Sequence, residues 1–298
     1  MNLLGELAAL STAFCWAGGT LLFTIAGRSI GSYNVNKLRI PISAIFLALF
    51  LVFGYSTLFP TGTDTRAILY LTLSGLIGLV LGDTCYFRCL VILGPRHGAL
   101  MQSLAPPMTA IAAFFLLGEY LSFMAIAGIG ITLFGVAWVS TDKKDSKINS
   151  REGSKLVGIL MGVGGAAGQA LGLVLAKEGM GESFNPLSAT FIRMLSSAVI
   201  IWIFAGLRSE IISTFKAISS RKALYALVGA AFLGPTIGVW MSLVAVKHTQ
   251  AGIAATIMSS FPVVVILLVM IFYKERPTLR SVLGAIIAVI GVSMLFVE

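Results

Sequence analysis

Four charged side chains fall inside apolar runs of this sequence, where a charge needs a partner, a ligand or a proton. Asp83 and Arg88 share the stretch "LGDTCYFRCL", and Arg39 and Arg193 lie near the starts of two other runs. A central carboxylate costs about 2.5 to 3.5 kcal/mol on membrane-insertion scales, so it normally faces a partner or a cavity. Asp83 is therefore interpreted as a structural pair with Arg88, as a substrate or proton site, or as a residue closer to the membrane surface.

Arg39 and Arg193 each lie about one turn into an apolar run. Their aliphatic stems can follow an apolar surface while the guanidinium reaches the lipid headgroups, which is the simpler interpretation. The alternative is a gate in which each arginine pairs with an acid in one conformation. Lys247 and His248 end another run and are expected to mark the membrane interface.

The composition places these charges in a membrane. The chain has 57% hydrophobic and 11% charged residues and a mean hydropathy of +0.97, whereas soluble proteins are about half apolar and a quarter charged. The net charge of +9 comes from short segments between apolar runs. This pattern is typical of membrane topology and not of nucleic-acid binding. Cys15, Cys85 and Cys89 lie within apolar runs and form no metal-binding pattern.

The length of the chain leaves room for roughly ten crossings of about 20 residues each. The most polar connection is "TDKKDSKINSREGSK", Thr141 to Lys155, halfway along the chain. The predicted helices cover 3–26, 34–54, 66–93, 97–117, 121–140, 155–177, 187–206, 222–247, 250–273 and 279–297. The sequence thus predicts an all-α integral membrane protein with a first unit at 1–140, a linker at 141–154 and a second unit at 155–298.

The two units match each other in sequence. Positions separated by 156 carry the same residue at Pro106 and Pro262, and at Glu119 and Glu275. The same shift pairs Gly78 with Gly234, Gly82 with Gly238, Gly128 with Gly284 and Gly135 with Gly291; a shift of 154 pairs Arg39 with Arg193, and one of 153 pairs Gly19 with Gly172. Because five helices per unit is an odd number, the second copy enters the membrane from the opposite side. The prediction is two inverted five-helix repeats, an arrangement that supports alternating access.

Prolines and acids recur at matched positions in the two units. Pro106, Pro107 and Pro262 fall near the middle of predicted helices, where each removes a backbone hydrogen bond. They are interpreted as packing kinks or as helix breaks that open a cavity in the membrane. Glu119 and Glu275 begin the helices that follow, and they are predicted to cap tight helical hairpins.

These motifs resemble the EamA family of the drug/metabolite transporter superfamily. The resemblance rests on the duplicated unit, on the P-x(12)-E spacing of Pro106 and Glu119, and on Gly128 and Gly135 behind it. It covers essentially the whole chain and implies secondary transport, often outward, without specifying the substrate. Four-helix exporters of the superfamily bind a proton on a first-helix glutamate. The matching positions here are Trp16 and Gln169, so that proton site does not carry over.

In family members the first, third and fourth helices of each unit surround the translocation path. The resemblance therefore implies a mostly apolar pocket with a few polar anchors, as expected of a small-molecule site. Each residue could equally serve helix packing. The candidates are Trp16, Asp83, Tyr86, Arg88, Gln102, Ser103, Gln169, Trp240, Met241, Met258 and Ser259.

The expected function is a secondary transporter of a small metabolite, amino acid or drug-like molecule. The alternatives are an intramembrane enzyme acting on lipid and a non-transporting receptor or scaffold. The chain has no HExxH metalloprotease motif, no P-loop, and only two histidines, so no enzyme, metal or cofactor is predicted. Its partners would be a small-molecule substrate and the lipid bilayer, with protons as a candidate coupling ion.

We expect a multi-pass protein of the plasma membrane, as a monomer or homodimer. Among the 21 Lys and Arg residues, only Arg66, Lys177, Arg193 and Lys247 fall nearest the termini and the even-numbered connections. The positive-inside rule then places the central linker in the cytoplasm and both termini outside. Similar ten-helix transporters are drawn with cytoplasmic termini, which is the opposite expectation.

Overall fold

The computed structural model describes residues 3–55, 64–117, 122–140, 153–181, 184–218, 220–248, 257–274 and 278–294. Within these ranges all regular secondary structure is helical. The caps predicted at Glu119 and Glu275 lie outside the described residues.

The helices follow the apolar runs of the sequence. The first half contains α1 (Leu3–Ile30), α2 (Ser32–Tyr55), α3 (Thr65–Ser74), π1 (Gly75–Gly82), α4 (Asp83–Leu93), α5 (Pro95–Gln102), α6 (Ala105–Leu117) and α7 (Phe123–Ser140). The second half contains α8 (Lys155–Met180), α9 (Pro186–Leu207), α10 (Ile211–Lys216), α11 (Arg221–Ala231), π2 (Phe232–Gly238), α12 (Val239–His248), α13 (Phe261–Tyr273) and α14 (Leu279–Met294).

Six stretches of continuous helix are long and apolar enough to cross a membrane. They are Leu3–Ile30, Ser32–Gly54, Thr65–Leu93, Lys155–Met180, Pro186–Leu207 and Arg221–Ser242, and shorter apolar helices occur at Phe123–Val139, Phe261–Phe272 and Leu279–Met294. The part of the chain that the structure describes is therefore all-helical, as in a multi-pass membrane protein.

Local signals set the helix ends. Gly31 and Gly94 join consecutive helices at φ values of 86° and 84°, which only glycine adopts without strain. Asn185 caps α9 by accepting a hydrogen bond of 2.8 Å from the Leu187 amide. Pro186 follows at the first helical position, where its missing N–H costs nothing.

Two helices contain a π-helical segment in the middle, which the sequence-based boundaries did not anticipate. In the second half, Pro235 lies within π2, so the carbonyl of Ala231 loses its helical partner. That carbonyl instead accepts a hydrogen bond from Thr236 Oγ1 at 2.9 Å, and Ser43 Oγ lies 3.2 Å from it. Segments of this kind are common at functional sites.

The structure places the recurring prolines at helix starts and not in the middle of a continuous helix. α5 ends at Gln102, and α6 begins at Ala105 with Pro106 and Pro107 in its first turn. The turn between them is closed by a bond from the Ser103 amide to the Leu100 carbonyl at 3.0 Å. Pro262 likewise lies in the first turn of α13, where a missing N–H is tolerated.

Close glycine contacts occur in pairs that exchange under the sequence match. A Cβ atom on Gly19 would lie 3.3 Å from Gly234 Cα, and one on Gly172 would lie 2.9 Å from Gly78 Cα. Gly19 matches Gly172, and Gly78 matches Gly234. Each half thus presses one glycine of its first helix against a π-segment glycine of the other half.

The pairing of α7 with α14 has the same reciprocity. A Cβ on Gly135 would lie 3.0 Å from the Gly284 carbonyl oxygen, and one on Gly291 would lie 2.8 Å from the Gly128 carbonyl oxygen. Gly128 matches Gly284 and Gly135 matches Gly291. The contact of Gly135 with Gly284 is therefore the same as the contact of Gly291 with Gly128, with the two halves exchanged. These small residues let the two backbones approach closely.

Candidate functional site

Asp83 joins three helices through both of its carboxylate oxygens. It is the first residue of α4, directly after π1, and is 5% exposed. Its Oδ2 contacts Nη2 of Arg39 on α2, and its Oδ1 accepts a hydrogen bond of 2.7 Å from Nε2 of Gln169 on α8. Asp83 therefore connects α2, α4 and α8.

Arg39 is buried on all sides of its side chain. Its Nε donates to Asn36 Oδ1 at 3.0 Å, and its guanidinium carbon lies 4.8 Å from the ring centre of Phe87 and 5.7 Å from that of Phe23. Aromatic faces attract a guanidinium and shield it from lipid. The interpretation that Arg39 reaches the headgroups is wrong, because a carboxylate on the neighbouring helix neutralises it inside the protein.

Asn36 links Arg39 to π1. Its Nδ2 lies within hydrogen-bonding distance of the Leu79 carbonyl at 2.9 Å, the Val80 carbonyl at 3.1 Å and Thr84 Oγ1 at 2.8 Å. A π-helical segment leaves backbone carbonyls short of partners, and such groups must be paired when buried. Asn36 therefore supports the segment that positions Asp83.

Arg88 does not pair with Asp83, contrary to one interpretation of the sequence. The Asp83 carboxylate contacts Arg39 and Gln169, and the Arg88 side chain is exposed. Five residues advance a helix by about 1.4 turns, so the two side chains point in different directions.

Arg193 and Ser197 lie one turn apart on α9 and are buried, at 8% and 0% exposure. Within the described part of the chain, Arg193 Nε and Ser197 Oγ have no hydrogen-bond partner. Both side chains lie against glycines of π1. A Cβ on Gly75 would lie 2.5 Å from Ser197 Oγ, and one on Gly78 would lie 3.6 Å from Arg193 Nη2. The snorkelling interpretation is wrong for Arg193 as well, because the side chain is buried beside α3 and π1.

Tyr86 lies one turn from Asp83 on α4, and Trp16 lies on α1 against π2. The Tyr86 hydroxyl, one turn beyond Asp83, shares a hydrogen bond of 3.1 Å with Thr20 Oγ1 of α1. Trp16 contacts Gly238 closely enough that a Cβ there would lie 2.6 Å from Trp16 Cδ1, and its ring meets Phe261 edge-on at 6.4 Å. Trp16 therefore occupies the place against π2 that matches Gln169 against π1.

The remaining candidates are dispersed. Met241 and Met258 pack against the same apolar cluster near Ala8, and Trp240 packs against Phe50 with ring centres 5.7 Å apart. Gln102 Oε1 and Ser103 Oγ are buried at the break between α5 and α6, without a hydrogen-bond partner among the described residues. Ser259 lies half-buried just before α13.

Sequence reasoning missed Arg96 and His97. Both belong to α5 and are buried, at 9% and 4% exposure, and they line a small crevice with Pro262 and Ser281. One signal could have found them, because only three residues separate the predicted helices at 66–93 and 97–117. So short a connection leaves little room for charged side chains outside the protein.

Sequence reasoning also overlooked one G-x-S-x-G motif, at 27–31. In hydrolases this motif forms a sharp turn between a strand and a helix, with the serine exposed as a nucleophile. Here Ser29 lies in the last turn of α1 and donates to the Ile25 carbonyl at 3.2 Å. The motif does not form a nucleophile elbow.

Comparison with known proteins identifies the architecture. The model of the EamA-like transporter family matches residues 3–141 and again residues 156–297. A protein crystal structure with 17% sequence identity superposes with a TM-score of 0.65, covering 99% of this chain and 96% of its own. At that identity the likeness concerns the fold alone. No curated protein matches the chain.

Proposed function

Because the chain belongs to the EamA-like transporter family, we propose that it is a secondary transporter that exports a small metabolite, amino acid or drug-like molecule across the plasma membrane. The observation that carries this proposal is the double match of the family model, once to each half. Two similar halves around a common site can exchange conformations and so expose the site to either side in turn.

The halves are proposed to be inverted five-helix repeats at 1–140 and 155–298, joined by the linker 141–154. Reciprocal contacts support this arrangement: Gly19 against Gly234 and Gly172 against Gly78 are the same contact with the halves exchanged. Thr132 supports it too, because its Oγ1 lies 3.5 Å from the carbonyl of Ala288, its own match. A contact between matched residues is expected on a two-fold axis.

The substrate is proposed to bind between the halves, beside the cluster of Asp83, Arg39 and Gln169. The cluster offers fixed charges and amide groups within an apolar surrounding, as expected of a small-molecule site. Tyr86, one turn beyond Asp83, is proposed to line its edge. Because both oxygens of Asp83 are engaged by Arg39 and Gln169, its proposed role is to organise the site and not to carry a proton.

One end of the path is proposed to be closed in this conformation. Lys37 Nζ contacts Glu210 Oε2 at 3.1 Å, and the Lys37 side chain is 2% exposed. Trp202 Nε1 donates to the Lys37 carbonyl at 2.9 Å, and Thr214 Oγ1 donates to Asn34 Oδ1 at 3.4 Å. These contacts join the start of α2 to α9 and α10. They lie at the end of the helices where α1 connects to α2 and α9 connects to α10.

Exchange in proteoliposomes tests the proposal. Vesicles containing the purified protein are loaded with an isotope-labelled cell extract and diluted into unlabelled extract, and the labelled compounds that leave are identified by mass spectrometry. Protein-free vesicles provide the control. Exchange of defined compounds supports transport; no exchange points to a receptor or scaffold, and chemically altered compounds point to an enzyme.

A further inference from the structure

The matched residues Arg39 and Arg193 differ in how their charges are neutralised. Arg39 contacts the Asp83 carboxylate and Asn36. The Arg193 guanidinium forms no hydrogen bond and no ion pair with any residue that the structure describes, although Asp83 is near enough to attract it electrostatically. One guanidinium therefore has a counter-ion in direct contact, and its counterpart has only the longer-range attraction of the same carboxylate.

The serines one turn further along show the same difference. Ser43 Oγ donates to the Arg39 carbonyl at 2.8 Å and lies 3.2 Å from the Ala231 carbonyl. Its match, Ser197, has a buried Oγ with no partner among the described residues. α9 thus carries two adjacent, buried and unused hydrogen-bond donors on one face.

The second half also lacks an acid at the position that matches Asp83. Asp83 matches Val239, the first residue after π2, so the second half has no acid where the first half has one. The other acids that the structure describes are used elsewhere or lie at a chain end. Glu210 pairs with Lys37, Glu178 with Arg66, Asp64 caps α3, and Glu6 lies in the first turn of α1.

We propose that Arg193 and Ser197 bind the anionic group of the substrate, which therefore carries a carboxylate, phosphate or sulfonate. This inference rests on the proposed transport function and names the substrate class for the same site. A buried guanidinium without a counter-ion in direct contact is unfavourable, and a bound anion supplies for Arg193 the direct contact that Asp83 supplies for Arg39.

The geometry suits this chemistry. A guanidinium donates two parallel hydrogen bonds to a carboxylate or phosphate, and the Ser197 hydroxyl donates a third. Gly75 and Gly78 of π1 pack their backbones directly beside the two donors, so these two positions place no side chain over the donors, and an anion reaches Ser197 Oγ by displacing π1 slightly. With Arg39 and Asp83 neutralising each other, the remaining charge at the centre is positive and disfavours cationic substrates.

The exchange assay provides the first test. The compounds that leave the vesicles are expected to be organic acids or phosphorylated molecules, and Arg193→Gln is expected to slow their exchange at least tenfold. Arg193→Lys, which keeps the charge but not the paired donors, is expected to retain part of the rate. Exchange confined to neutral or cationic compounds overturns the anion site and leaves the transport function intact.

A binding measurement decides the inference even if nothing is exchanged. The unfolding temperature is measured with potassium phosphate, with potassium benzoate, and with benzamide as the uncharged control, at constant ionic strength. At least one of the two anions is expected to raise the unfolding temperature of the wild type, and Arg193→Gln is expected to abolish this increase. A rise that is equal in the variant, or absent with both anions, overturns the proposal.

The substitution Val239→Asp supplies the missing acid from within and tests the proposal independently of Arg193 variants. It is expected to raise the unfolding temperature without any ligand. It is also expected to increase at least tenfold the concentration of phosphate or benzoate that produces a given further rise. Val239→Asn is the matched control, which keeps the shape without the charge and is expected to bind anions as the wild type does. Undiminished anion binding by Val239→Asp contradicts the proposal.

Discussion

Arg39 and Asp83 form an ion pair across the buried interface of α2 and α4. Both side chains are more than nine-tenths buried, and Gln169 and Asn36 satisfy the remaining hydrogen-bonding groups on either side. A pair of this kind adds little net stability over an apolar pair, but removing one partner is costly. The pair therefore fixes the relative position of α2, α4 and α8.

Asp83→Asn is expected to destabilise the protein by about 3 to 5 kcal/mol and to impair transport, because it leaves the Arg39 charge buried without a counter-ion. Adding Arg39→Gln is expected to restore much of the stability, whereas adding Arg88→Gln is not. Thermal unfolding of the purified variants measures this. Recovery by Arg88→Gln would instead identify Arg88 as the partner.

Glu210→Gln is expected to cost more than about 1 kcal/mol, the upper value for an exposed ion pair, because it leaves Lys37 buried and charged. Hydrogen exchange of residues 32–38 is expected to accelerate, since this pair holds the start of α2. Glu178→Gln breaks the pair with Arg66, whose side chains are 36% and 67% exposed, and is expected to change stability by less than about 0.5 kcal/mol. Equal effects of the two substitutions would be inconsistent with a buried closure at Lys37.

Gly172→Ala is expected to destabilise the protein by about 1 to 3 kcal/mol through overpacking. Its new methyl group would lie 2.9 Å from Gly78 Cα and 3.2 Å from the Ser74 carbonyl oxygen, so backbone must move. Gly130→Ala is the control, because no atom lies within 4 Å of its new methyl group. Unfolding temperatures that do not separate the two variants would contradict the close contact of α8 with π1.

The pair Thr132→Cys and Ala288→Cys is expected to form a disulfide on oxidation, because both residues are buried at the contact of α7 and α14. Cys15, Cys85 and Cys89 are first replaced by alanine. Phe134→Cys with Ile290→Cys provides a matched control, since these side chains have the same separation in sequence but are 61% and 51% exposed. Gel mobility under non-reducing conditions reports the cross-link; a cross-link only in the control would rule out the described packing.

The charge distribution predicts that the central linker is cytoplasmic and both termini are outside. A fluorescent reporter that matures only in the cytoplasm, fused after Glu298, is expected to remain dark, and one inserted after Lys147 is expected to fluoresce. A bright C-terminal fusion with a dark linker insertion would establish the orientation usually drawn for similar transporters.

The apolar runs were enough to predict most helices, because crossing a membrane is a local requirement of length and composition. Thr65–Leu93 and Lys155–Met180, for example, lie within a few residues of their predicted bounds. The family resemblance, which rested on the fixed spacings of Pro106, Glu119 and their matches, was likewise confirmed, because the family model matches both halves of the chain.

The contacts of the site could not be predicted in the same way. Arg39 lies 44 positions from Asp83, and Gln169 lies 86 positions from it, so no local pattern connects them. Arg88 was one of the predicted partners because it is near Asp83 in sequence. A π-helical segment contains one additional residue within an otherwise regular helix. This insertion does not change the apolar composition of the run, so a hydropathy profile does not reveal it.

The two π-helical segments also bear on the history of the molecule. They begin at Gly75 and Phe232 and end at the matched glycines Gly82 and Gly238. If the halves descend from one gene segment, a single ancestral insertion accounts for both, so the bulge is older than the duplication. Asp83 and Val239 differ at the very next position, so the asymmetry of charge arose after the copies separated. An ancestral dimer of identical units would then have had equivalent arginines, and the distinction between them is the later acquisition.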